Sequence, residues 1–208
     1  MPWSSRALTR CATLLKVCLM RTPRPLQPTL WRTCRSLANR TRLQIFERLL
    51  LQPGQTVSEV AMGLKPSRRA GMASSYLRTL EARSLLTVRR TGRRVTYRPN
   101  IASGSGPAGR LVAALRLAFK HEPQPIEHIF KLATAFTHPR RIAIFRALQN
   151  KPTTLAQAQI ATGISSRALR RHLRKLETRG FVTRRLEIYA VAKRSDAFGK
   201  ELARLAAE

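Results

Sequence analysis

Apolar residues recur at helical spacing in two separate stretches of the chain, and the two stretches correspond. In the first, Leu43, Phe46, Leu49 and Leu50 fall on one face of a helix that follows Asn39. In the second, Ile142, Phe145 and Leu148 take the matching places, and Pro139 sits in the first turn, where its fixed φ suits a helix start. Farther on, Ala73, Leu77 and Leu80 form a buried-face stripe, and Leu169, Leu173 and Leu176 repeat it. The polar positions correspond as well. Asn39-Arg40-Thr41-Arg42-Leu43-Gln44-Ile45-Phe46 parallels His138-Pro139-Arg140-Arg141-Ile142-Ala143-Ile144-Phe145. Leu77-Arg78-Thr79-Leu80-Glu81-Ala82-Arg83-Ser84-Leu85 parallels Leu173-Arg174-Lys175-Leu176-Glu177-Thr178-Arg179-Gly180-Phe181. Matches in the same order at many positions point to duplication of one domain.

Each copy predicts the same series of elements. An apolar-rich helix comes first, over residues 29–37 or, after Pro125, over 126–136. The helix after Asn39 or His138 ends at a turn marked by Pro53-Gly54 or Asn150-Lys151-Pro152. A short helix comes next, Val57–Met62 or Leu155–Thr162, with Thr56 or Thr154 as N-cap and a left-handed exit at Gly63 or Gly163. After the leucine-striped helix come two β-rich runs. Residues 85–90 and 95–98 flank a Thr91-Gly92 tip, and residues 181–184 and 188–191 flank a shorter one. A Gly/Ser-rich stretch at 102–109 punctuates the chain before a helix at 111–120. A similar helix closes the chain after Ser195-Asp196, with Phe198, Leu202 and Leu205 on one side. The predicted class is mainly α with small β-wings. Residues 26–120 form one domain, 121–208 a second, and 1–25 a basic extension.

Charge narrows the function. The chain carries 40 basic and 10 acidic residues in 208, a formal charge of +30. Such a chain repels itself and calls for a polyanionic partner, nucleic acid first and an anionic membrane surface second. Arg outnumbers Lys, which suits bidentate contacts to phosphate and guanine, although a GC-rich genome also raises Arg. The three cysteines, Cys11, Cys18 and Cys34, are too few and too clustered for a disulfide framework and suggest a reducing compartment. No apolar run reaches the length needed to span a bilayer. Residues 1–30 carry no acid and resemble an organelle transit peptide; a disordered basic arm and an upstream-assigned start, with Met20 as the true one, are the alternatives.

At this point the pattern resembles the ArsR-type winged helix-turn-helix family of bacterial regulators. His138-Pro139-Arg140-Arg141-Ile142 is similar to the entry of that family's second helix. Gly163-Ile164-Ser165-Ser166-Arg167-Ala168-Leu169-Arg170-Arg171-His172-Leu173 is similar to its turn and recognition helix. The first copy matches at 37–46 and 74–86 and departs at Lys65-Pro66-Ser67-Arg68, which lengthens the turn. The resemblance implies a sequence-specific regulator of double-stranded DNA, cytoplasmic and associated with the bacterial nucleoid. It also implies terminal helices that pair two subunits. Two copies on one chain would satisfy that pairing internally, as a monomeric pseudo-dimer, with a homodimer as the alternative. Metal-sensing relatives carry paired cysteines on the third helix, but no cysteine follows Cys34 here. No cofactor or metal is expected.

A recognition helix needs one apolar face for the core and one polar face for the major groove. In the second copy Ser166, Arg167, Arg170, Arg171 and Arg174 are the outward candidates, and Ser165 the N-cap that leaves N–H groups for a phosphate. Arg167, Arg170 and Arg171 are the candidates for guanine edges. In the first copy the outer candidates are Arg69, Ser74, Ser75 and Arg78, with Tyr76 packing sideways or reaching a phosphate. Arg89, Arg90, Arg93 and Arg94 crowd the first wing, which could follow the backbone or enter the minor groove; Arg184 and Arg185 stand on the second. No Ser-His-Asp order, phosphate-binding glycine loop or zinc pattern occurs, so an enzyme is not expected. His121 and His128 stand apart, as exposed or capping residues. The competing classes are a winged-helix assembly module and an RNA-binding protein, the latter disfavoured by 6% aromatics.

Overall fold

A computed structural model describes residues 29–64, 70–101 and 106–208. The N-terminal extension, with Cys11 and Cys18, lies outside the described residues, as do 65–69 and 102–105. The elements are α1 (Leu30–Leu37), α2 (Arg40–Leu51), α3 (Val57–Met62), α4 (Ala70–Glu81), β1 (Leu86–Thr91), β2 (Arg94–Pro99) and α5 (Pro107–His121). The order then recurs: α6 (Pro125–Ala133) with a 3-10 turn Thr134–Phe136, α7 (Pro139–Ala147), β3 (Thr153–Thr154), α8 (Leu155–Thr162), α9 (Ser166–Thr178), β4 (Val182–Arg185), β5 (Ile188–Val191) and α10 (Ala197–Ala207). Among the described residues the fold is mostly helical, with two small antiparallel sheets.

The helix junctions are built from equivalent residues. Asn39 caps α2 by accepting from the Arg42 amide at 2.9 Å. The Arg42 guanidinium reaches back to the Ser36 and Arg35 carbonyls at 2.5 and 2.9 Å, where α1 leaves carbonyls unpaired. In the second half His138 takes the capping place, its Nδ1 accepting from the Arg140 amide at 3.1 Å. Arg141 reaches back to the Thr134 carbonyl at 3.2 Å and to the Thr137 hydroxyl. This explains why the helix expected over 126–136 ends early. Its last turn tightens to 3-10, presenting Thr134 to Arg141 and to Arg179 Nε at 2.8 Å. It also turns Phe136 into the core, edge-on to Phe181 and Phe145 at 4.7 and 5.2 Å between centroids.

Both leucine-striped helices exit through a residue with positive φ, Ser84 at 55° and Gly180 at 73°. The next apolar residue folds back: Leu85 donates to the Leu80 carbonyl at 3.1 Å and Phe181 to that of Leu176 at 3.0 Å. In each half a short extended residue before the third helix pairs with the second wing strand, Gln55 with Tyr97 and Thr153 with Tyr189. Both tyrosines are buried beneath that pairing.

Residues of the two halves also touch. α5 lies along α10 and against α6, and α1 packs on α6 and the 3-10 turn. Arg40 grips Glu127 with two hydrogen bonds of 2.5 and 2.7 Å and lies 4.1 Å over the Phe130 ring. Arg110 binds Glu201 at 3.0 Å and Glu208 at 2.8 Å. Cys34 is fully buried, and that burial pushes its thiol well above the ordinary range. His128 is half-buried rather than exposed, because Asp196 Oδ1 at 3.2 Å and Glu122 Oε1 at 3.6 Å hold its ring. Asp196 also caps α10, accepting from the Gly199 amide at 2.6 Å.

The wing tips differ in one telling residue. The strand register closes on Thr91–Arg94 in the first wing and Arg185–Ile188 in the second. Thr91 is therefore the last paired residue, and the first tip is Gly92-Arg93 rather than Thr91-Gly92. The first tip residue has φ 58° at Gly92 and 54° at Leu186. Glycine tolerates that conformation, but a leucine there costs about 1–2 kcal/mol. Leu186→Gly should therefore stabilise the protein by up to about 1 kcal/mol once the lost chain stiffness is counted, and Gly92→Ala should destabilise it by about 1 kcal/mol. Urea unfolding of the two variants would give opposite shifts in midpoint; shifts of the same sign would rule out backbone strain as the cause.

Candidate nucleic-acid interface

The turn between α8 and α9 is fixed at both ends. Thr154 and Gln157 cap each other's backbone at the start of α8, at 3.3 and 3.1 Å. Gly163 leaves that helix at φ 65°, the left-handed exit expected of it. Ile164 then turns into the core, 8% exposed. Beyond it α9 carries two opposed stripes. Leu169, Leu173 and Leu176 are wholly buried against α7 and α8. Arg167, Arg170, Arg171 and Arg174, at spacing i, i+3, i+4, i+7, are all exposed.

Ser165 and Ser166 divide their work differently from the expectation that one caps and the other faces outward. Ser165 stands at the N-cap position, but its hydroxyl makes no capping bond. Among the described residues the first-turn amides of α9 therefore have no capping side chain at the helix's positive end. Ser166 is half-buried and donates to Gln159 Oε1 at 2.5 Å, tying α9 to α8.

The first half builds the corresponding region with fewer cations. Thr56 and Glu59 cap α3 mutually, and the bond from the Thr56 amide, 2.6 Å long, helps hold the Glu59 carboxyl below its ordinary range. Gly63 is not a left-handed exit: its φ is −80°. Arg48 lies across it, and a Cβ there would require only that flexible guanidinium to shift, so neither conformation nor space demands glycine. In α4, Ala73, Leu77 and Leu80 are buried, Ser75 and Arg78 are exposed and Ser74 is half-buried. Tyr76 packs sideways, with the Arg42 guanidinium 5.7 Å from its ring. Arg69 lies outside the described residues.

On the wings, Arg89, Arg90, Arg93 and Arg94 are exposed, and Arg94 is tethered to Glu59 at 3.5 Å. Arg185 is exposed. Arg184 stiffens its own hairpin, donating to the Leu186 carbonyl at 3.0 Å and to Glu187 at 2.5 Å.

Sequence reasoning missed a histidine pair beneath α9. His172 is 5% exposed on the inner stripe and stacks 5.0 Å from His138, the cap of α7. Its Nε2 is buried and has no hydrogen-bond partner among the described residues. The signal was present: His172 falls three residues after Leu169 and four before Leu176, on the buried stripe. Burial, then the charge of His138 and the nearby Arg141, Arg171 and Arg140, push His172 down to about 4. Burial and the same arginine-rich surroundings lower His138 as well.

Residues 136–185 match a family described as a helix-turn-helix domain. The match runs from Phe136 to the end of β4 and so contains α7, α8, the turn and α9. No curated protein and no solved structure matches the chain. A helix-turn-helix domain therefore occupies this part of the second half. Among the described residues no helix is long and apolar enough to cross a membrane, and no cluster of His, Cys, Asp or Glu could hold a metal ion.

The histidine pair gives stability a pH dependence. In the unfolded chain an imidazole takes up its proton near pH 6.5. In the fold His172 stays neutral down to about 4. Unfolding therefore takes up protons between those limits, and stability is lost as pH falls through that window. Between pH 7 and 5 the loss from His172 should be about 2 kcal/mol, with His138 adding in the same direction. His172→Gln should remove most of it, read by urea unfolding at the two pH values. An unchanged pH slope would show that His172 does not titrate between the states.

Proposed function

We propose that the protein is a sequence-specific regulator that binds double-stranded DNA, of the ArsR-like winged helix-turn-helix kind. In this reading its two halves are tandem modules paired within one chain as two subunits pair in a homodimer. The observation that carries it is the division of α9, within the helix-turn-helix match: leucines wholly buried on one side, four exposed guanidinium groups on the other.

The chemistry derives from that division. The buried stripe fixes the helix while Arg167, Arg170 and Arg171 reach base edges in the major groove, where a guanidinium can grip guanine O6 and N7 together. Arg174, Ser165 and the uncapped amides of α9 meet phosphates. The first-half helix, with Ser74, Ser75 and Arg78, and Arg69 before it, reads fewer bases. Its wing compensates: Arg90, Arg93 and Arg94, with Arg89, lie along the backbone or enter the minor groove. On the second wing Arg185 touches phosphate while Arg184 sets the hairpin's shape. A charge of +30 makes association fast and strongly salt-dependent. Internal pairing is supported by the Arg40–Glu127 and Arg110–Glu201 bonds and by α5 lying along α10. Because α4 and α9 differ in sequence, the site has unlike half-sites, about one helical turn apart if both lie on one duplex face.

In-cell mapping of bound DNA followed by footprinting supplies the site on which this reading is tested. Arg170→Ala should weaken binding there by about 1–3 kcal/mol and relax base preference, with little effect on random duplex. Equal loss on both would remove its base-reading role. Arg93→Ala should weaken binding to every sequence and lower the slope of log K against log salt by about 1, measured by fluorescence anisotropy. Failure of the wild type to bind any duplex at moderate salt would overturn the reading as a whole.

A further inference from the structure

Where the first helix meets the second half, the fold leaves a cavity of about 610 Å³. Its walls are mainly apolar: Leu30 and Trp31 of α1, Leu111 of α5, Ile142 of α7 and Leu205 of α10. The volume suits a small organic molecule. Three charged side chains also line it, Arg83, Arg146 and Glu208. Two of them are engaged. Arg146 Nε donates to the Ala206 carbonyl at 2.9 Å. Glu208 Oε1 accepts from Arg110 at 2.8 Å and lies 3.5 Å from Arg204 Nε.

Arg83 is different. It sits just beyond α4, half-buried, and its guanidinium has no hydrogen-bond or ion-pair partner among the described residues. A guanidinium set beside apolar walls with no acceptor of its own is well met by a carboxylate, which can take two parallel N–H bonds. An inorganic anion would satisfy that donor but gain nothing from the tryptophan and leucine walls. An apolar molecule would cover the walls and leave the donor unmet. Both requirements are met together by an acid with an apolar body.

We propose that this cavity binds a small organic acid, its carboxylate on the Arg83 guanidinium and its apolar body against Trp31, Leu111 and Leu205. The bound molecule touches α1 and Arg83 on one side and α7 and α10 on the other, and so contacts both halves of the chain. The binding site stands independently of the DNA reading, and its test requires no DNA.

Naphthoate serves as the probe, titrated calorimetrically into the full chain, with acetate and uncharged naphthylmethanol as counterparts. One naphthoate should bind per chain, acetate should not, and naphthylmethanol should bind at least tenfold more weakly than naphthoate. Arg83→Met keeps the side chain's apolar length and should cost naphthoate at least tenfold in affinity while leaving naphthylmethanol unchanged. Ala143→Trp, which fills the cavity from α7, should abolish binding of both. Arg116→Met, at an exposed position of α5, should bind like the wild type. The proposal fails if naphthoate does not bind, or if Arg83→Met binds it as tightly as the wild type. It fails equally if Arg116→Met loses as much as Arg83→Met, since the net charge alone would then be responsible. Should Arg83→Met not fold, judged by circular dichroism, the comparison of naphthoate with naphthylmethanol and the Ala143→Trp variant decide: equal affinity for acid and alcohol, or unchanged binding in the filled cavity, overturns the site.

Discussion

The burial of one leucine stripe on α9 is the constraint on which the rest depends. Leu169, Leu173 and Leu176 lose all solvent contact against α7 and α8. Removing such a side chain from a core costs roughly 2–5 kcal/mol, so the helix has one acceptable rotation about its axis. The helical repeat then puts Arg167, Arg170, Arg171 and Arg174 outside. No interaction of the arginines themselves is needed to aim them. Their display is a consequence of what the leucines cannot do, which is remain in water.

Electrostatics divide the molecule in a complementary way. A chain with 40 basic and 10 acidic residues has few carboxylates to distribute. Half of them are used at junctions: Glu127 on Arg40, Glu201 and Glu208 on Arg110, Asp196 between Arg194 and His128, Glu59 between its own helix cap and Arg94. The exposed arginines of α9 stand apart from these pairs. Structural ion pairs and the outward basic face therefore draw on different parts of the sequence, and folding need not neutralise the charge that a polyanion would meet.

The two halves reach similar local geometry with different residue types. Arg42 and Arg141 perform the same backward reach, although Asn39 caps one helix and His138 the other. Ser84 and Gly180 occupy the same left-handed exit. Gly92 and Leu186 occupy equivalent tips, one at little cost and one under strain. Gly63 and Gly163 correspond in sequence but differ in conformation, φ −80° in one and a left-handed exit at 65° in the other. A glycine's identity alone does not fix its conformation.

Local periodicity determined much of this protein without help from the fold. The spacing of Leu43 and Phe46, of Leu77 and Leu80, and of Leu169 and Leu173 located the helices and their inner faces, because burial repeats at the helical period. Thr56 and Thr154 were recognisable as caps, because a capping bond reaches only to the next turn. Other features required groups distant in sequence to meet. His172 became a titrating neighbour of His138 only when α9 packed on α7; the tightened turn before Phe136 arose because Arg141 and Arg179 converged on Thr134. The cavity beside Arg83 exists only where α1, α5, α7 and α10 come together. Hydrophobic period is a property of neighbours along a chain, whereas desolvation, charge pairing and empty space belong to neighbours in three dimensions.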